Sequence, residues 1–161
     1  MAKRDAIVCA VDPGLNGAVA VWDPYLEEWE VTKLKPGRGK TWDDKCDAIV
    51  DQVREATQSV DRVVVEKPAF HQSVGGIRTA RSGGLVKLAL LAGRIYEALT
   101  FTDKQFVDVA AWKGQLPKDV THRRTESTLR PLGKMPRGWD RMSDDERDAV
   151  AMVVACFREY F

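Results

Sequence analysis

The chain opens on an unbroken apolar run, Ala6-Ile-Val-Cys-Ala-Val11, closed by Asp12 and the breakers Pro13-Gly14. Six residues are too few for a helix, so the run reads as a strand buried on both faces, with Asp12 at its mouth. Gly14, Asn16 and Gly17 carry turn chemistry, and Ala18 to Trp22 is a second apolar run, so the chain folds back as a hairpin. Trp29 to Leu34 alternates, as an outer strand with one wet face does. Thr41 is placed to cap a helix in which Trp42, Cys46, Ile49, Val50 and Val53 fall at helical spacing. Arg62-Val-Val-Val-Glu66 then repeats the first pattern, a β-branched run ending in an acid. A strand, a crossover helix and a second buried strand make parallel neighbours, which brings Asp12 and Glu66 to the same end of a sheet.

In the second half, Lys67 to Gly84 is rich in Gly, Ser and Arg without periodicity and reads as a mobile loop. Leu85 to Leu99 reads as a helix that is apolar nearly all round. A helix with no wet face in so small a domain needs a cover beyond its own sheet, so a homodimer is expected through Leu85, Leu88, Ala89, Ala92 and Tyr96. Gln105 to Val109 reads as a fifth strand, and residues 119 to 130 as a polar, weakly held helix anchored by Val120 and Leu129. Pro131 to Trp139 is breaker-rich loop. Ser143-Asp-Asp-Glu146 is a capping box opening a last helix to Tyr160. The sum is one α/β domain over residues 1–161.

Composition narrows the setting. No stretch approaches the roughly 20 apolar residues of a membrane helix, and the first residues lack a signal-peptide pattern, so a cytoplasmic protein is expected. Cys9, Cys46 and Cys156 each lie in apolar patterns without metal-ligand spacing and read as free thiols. Net charge is only +1, but it is unevenly spread. Lys67, Arg78, Arg81, Lys87 and Arg94 lie in a segment with no acid, and a second basic stretch runs from Lys113 through Lys118, Arg123, Arg124, Arg130, Lys134 and Arg137 to Arg141. Two such segments flanking acidic positions point to a polyanionic partner.

Asp145 and Asp148 are three residues apart and share a face of the last helix. Acids in a first turn favour the helix dipole, but Asp148 lies beyond it, beside the apolar face, where a charge is costly unless a cation or donor meets it. Two core strands ending in acids and an acidic pair on a docked helix supply four carboxylates, Asp12, Glu66, Asp145 and Asp148. Hard oxygen donors select Mg²⁺, with Mn²⁺ as substitute. Two such ions about 4 Å apart catalyse phosphodiester hydrolysis.

Val11-Asp12-Pro13-Gly14 with Gly17-Ala-Val-Ala-Val21, then Val64-Val-Glu66, then Asp145-Glu-Arg-Asp148-Ala149, in this order, resemble the RuvC family of Holliday-junction resolvases, which have an RNase H-like fold. Trp112-Lys113 resembles phage-type members. The resemblance implies a five-stranded mixed sheet flanked by helices and a Mg²⁺-dependent homodimer that nicks two opposed strands of a four-way junction, with the four acids as metal ligands. It further implies that Phe70 stacks on a base and that Lys113 and one of Arg123 and Arg124 lie near the scissile phosphate; Arg78 and Arg81 complete the expected DNA contacts. Such an enzyme acts in recombination and repair in the cytoplasm of a bacterium or a phage-infected cell. Rival readings are a nuclease that also cuts flaps and forks, a non-catalytic dimeric branched-DNA binder, and an actin-like phosphotransferase. The last needs a duplicated second half that the chain lacks.

Overall fold

The computed structural model describes residues 5–69, 77–78, 81–100 and 103–161. Strands β1 (Val8–Asp12), β2 (Ala18–Asp23), β3 (Glu28–Lys33), β4 (Arg62–Lys67) and β5 (Asp103–Asp108) form one sheet in the order β3-β2-β1-β4-β5. β1, β2 and β3 are antiparallel in succession, while β1–β4 and β4–β5 are parallel, so the sheet is mixed. Val11 lies opposite Val65, and the next position along each strand is an acid, Asp12 on β1 and Glu66 on β4.

Strand alternation divides the core. Cys9, Val11, Val19, Val21, Val63 and Val65 meet α1 (Trp42–Ala56) and α2 (Gly84–Ala98) on one face. Val8, Ala10, Ala18, Ala20 and Val64 meet the last helix on the other. β1 is buried on both sides for this reason, and each Val or Leu so enclosed contributes about 1.5–3 kcal/mol. Thr41 caps α1 through a capping box with Asp44.

After β5 a single helical turn, α3 (Val109–Trp112), leads to α4 (Lys118–Leu129) and α5 (Asp144–Cys156). The Ser143 hydroxyl accepts from the Glu146 N–H while the Ser143 N–H donates to Glu146 Oε2 at 2.7 Å, so α5 starts where the capping box places it. It ends earlier than the sequence implies, at Cys156, and Arg158–Tyr160 continues as a 3-10 turn.

Three expectations change. Part of the Lys67–Gly84 segment is helical, at Ile77, Arg78 and Arg81, and α2 begins at Gly84. α4 is anchored by Thr121, His122 and Thr125 as well as Leu129, because polar side chains with partners pack there. On α2, Ala92 is only 1 % exposed, and its neighbours Leu91 and Ile95 belong to the core between the sheet and α1. The open side of α2 is carried by Val86 and Leu90, 62 % and 58 % exposed, with Ala89 between them. No helix among the described residues is long and apolar enough to cross a membrane.

Candidate active site

Asp12 is set at the end of a core strand by a turn that admits only glycine at position 17. A Cβ on Gly17 would run into the Asp12 carbonyl oxygen and approach the Gly14 nitrogen. Gly17 N–H donates to Gly14 O at 3.2 Å and Gly17 O accepts from Leu34 N at 2.8 Å, which fixes the turn behind the acid. Glu66 ends the neighbouring parallel strand, and α5 crosses β1 and β2 with Asp145 and Asp148 in its first two turns.

The charges of Glu66, Asp145 and Asp148 all act on Asp12. The Asp12 carboxyl is held well above the usual carboxylate range, first by burial and then by the negative charges of Glu66, Asp145 and Asp148, with Lys118 opposing. Glu66 is raised too, by burial and by Asp148, against the opposing hydrogen bond from Trp112. Asp148, 6 % exposed, is met from both sides: His122 Nε2 lies 2.7 Å from its Oδ1 and Lys118 Nζ 3.0 Å from its Oδ2. The Lys118 ammonium is held above its ordinary value, because the hydrogen bond to Asp148 and the charges of Asp148, Asp145 and Asp12 outweigh partial burial. Trp112 Nε1 donates to Glu66 Oε2 at 3.0 Å.

The cation and the ring nitrogen that meet Asp148 belong to Lys118 and His122. His122 is buried, and its ring stands edge-on to Trp139. Its only sequence signal is the i,i+4 spacing from Lys118 on α4. Trp112 likewise gave no signal of its carboxylate partner. With Asp148 and Glu66 so engaged, no three acids, imidazoles or thiols among the described residues are drawn up round one point as metal ligands.

The donor set nonetheless fits a hard divalent cation. Asp12, Glu66, Asp145 and Asp148 offer only oxygen donors, the last three act on Asp12 through their charge, and Lys118 is the opposing cation. The cysteines take no part: Cys9 and Cys46 are buried, and burial pushes the Cys156 thiol up to about 11.

The expected DNA contacts differ in exposure and pairing. Lys113, half-buried, follows Trp112 and its charge acts on Glu66. Arg78 and Arg81 are exposed. Arg123 is paired with Asp119 at 2.8 Å, whereas Arg124 makes no ion pair among the described residues. Phe70 lies outside the described residues. Of the expected interface residues, Ala89 is exposed, Leu85 and Leu88 are half-buried, and Tyr96 stacks on Phe106 of β5 with centroids 4.4 Å apart.

No protein-family model and no curated protein matches the chain. Solved structures do. A structure of RuvC from Thermus thermophilus aligns with a TM-score of 0.51 and 18% identity over 92% of this chain and 92% of its own. The T. thermophilus RuvC structure in complex with a Holliday junction substrate aligns with a TM-score of 0.54 and 18% identity over 93% of this chain and 91% of its own. The fold is therefore the RNase H-like fold of RuvC, a five-stranded mixed sheet flanked by helices.

Proposed function

We propose that this chain is a structure-selective DNA endonuclease that resolves four-way junctions by paired nicks, acting as a homodimer. The observation that supports this most is that the charges of Glu66, Asp145 and Asp148 all act on the Asp12 carboxyl at the end of β1. The similarity of the fold to RuvC, including the form bound to a Holliday junction, supports the same substrate class. Trp112-Lys113 favours the phage-type branch of such enzymes and the cytoplasm of an infected bacterial cell as the setting.

The four acids would hold two Mg²⁺ or Mn²⁺ ions. When bound, such a pair activates water and stabilises the leaving oxygen of an in-line phosphodiester displacement. The chain's own groups do the positioning. The ends of β1 and β4 fix Asp12 and Glu66, and α5 carries Asp145 and Asp148. His122 and Trp112 each hold one carboxylate oxygen, of Asp148 and of Glu66, and so set its orientation. Lys118 supplies positive charge where four acids would otherwise repel. Lys113, whose charge acts on Glu66, would meet a phosphate. The open apolar face at Val86, Ala89 and Leu90 is the surface proposed for the second protomer, which would present two such sites to opposed strands.

The test is a cleavage assay on a mobile four-way junction, a flap and a linear duplex, each with and without Mg²⁺. Paired nicks in the junction alone, dependent on Mg²⁺, are expected. Equal cutting of flaps would favour the broader nuclease, and binding without cutting the non-catalytic reading.

A further inference from the structure

A groove of about 610 Å³ runs between α4 and α5 on the side of Trp112. This volume is within the roughly 300–1,000 Å³ range of ligand-holding clefts. Trp112, Val154 and Phe161 give it an apolar floor, and Lys113, Arg124 and Arg158 border it, with no acidic side chain in its lining.

The pairing of the neighbouring cations makes this border distinctive. On α4, Arg123 is bound to Asp119 and Arg130 to Glu126; near the far end of α5, Arg62 is bound to Asp103 and Glu159. Lys113, Arg124 and Arg158 have no acid within ion-pair distance among the described residues, and all three face the same groove. The groove adjoins the acidic centre through one residue. Trp112 forms part of its wall and donates its indole N–H to Glu66 Oε2 at 3.0 Å.

From this arrangement we infer that the α4–α5 groove receives the DNA strand as it leaves the cut. Backbone phosphates would sit on Lys113, Arg124 and Arg158, and sugar or base surface on the apolar floor. The inference rests on the proposed nuclease reading and adds to it a path for the strand. Unpaired guanidinium groups around an apolar floor are complementary to a phosphate-bearing chain with flat aromatic bases. Contact with the acidic centre at Trp112 favours a nucleic acid over an acidic peptide, which would have no reason to start there.

The test is fluorescence anisotropy of a labelled four-way junction in EDTA, across about 50 to 200 mM salt. Each lost phosphate contact lowers the slope of log affinity against log salt by about 0.9, so Arg124→Ala with Arg158→Ala should lower it by nearly 2. Arg124→Lys with Arg158→Lys should keep the wild-type slope, and Arg123→Ala, whose guanidinium is paired, should leave it unchanged. An unaltered slope in the double alanine variant overturns the inference, as does an equal loss in Arg123→Ala. So does a fluorescein-labelled acidic aromatic peptide that binds wild type through Arg124 and Arg158 while junction binding ignores them.

Should the double variant not fold, a photocrosslinker on Ser127→Cys serves instead. Crosslinks to the strand flanking the nick support the groove; their absence contradicts it. If wild type neither binds nor cuts junctions, the nuclease reading itself fails; if it does both and the variants match it, only the groove fails.

Discussion

Asp12 is a carboxyl group whose surroundings favour its neutral form, by burial first and then by three neighbouring acids. Its folded-state pKa lies above the unfolded value of about 3.9, so between the two the folded chain binds the extra proton and stability falls as pH rises. Glu66 contributes with the same sign. Asp12→Asn therefore raises the melting temperature of the metal-free protein and flattens its decline with pH. Thermal melts in EDTA from about pH 5 to about pH 8 check this, and a variant less stable than wild type throughout contradicts it. Gly17 acts on the same residue through sterics. Gly17→Ala pushes a methyl group into the Asp12 carbonyl, which should cost about 1–3 kcal/mol in urea unfolding and lower any cleavage activity by shifting Asp12. Full stability in that variant would show that the turn can relax.

Among the elements, α2 separates two ideas that its sequence merges. Its apolar residues divide between an inner set, Leu91, Ala92 and Ile95, and an outer set, Val86 and Leu90. Val86→Asp with Leu90→Asp should convert a dimer to a folded monomer in sedimentation, whereas Ala92→Asp should destabilise the protomer, because it buries a charge. A wild type that is monomeric at micromolar concentration contradicts the dimer. The strands were legible because short apolar runs closed by acids and breakers admit few other conformations, and the capping boxes at Thr41 and Ser143 give local start signals. α4 was harder to read. Thr121, His122 and Thr125 look like a wet face, and the group that meets buried His122 is Asp148, 26 residues further on, a partner that periodicity does not encode. The same holds for Trp112 and Glu66, 46 residues apart.

For the whole molecule, the near-neutral charge conceals a division of labour: Glu66, Asp145 and Asp148 act on Asp12 at the end of β1, and cations without an acid partner among the described residues border the adjoining groove. Mutually repelling carboxylates should make the fold responsive to divalent metal. At about a hundredfold excess over its dissociation constant, Mg²⁺ or Mn²⁺ should stabilise by about 2.7 kcal/mol, seen as a higher melting temperature that Asp148→Asn blunts. No response in wild type would mean that the acids do not act together. The most direct measurement compares wild type with Asp148→Asn on a mobile four-way junction in Mg²⁺, scoring nicks and binding in parallel. Wild type should nick opposed strands while the variant binds and leaves them whole; cleavage retained by Asp148→Asn, or none by wild type, contradicts a four-acid metal nuclease.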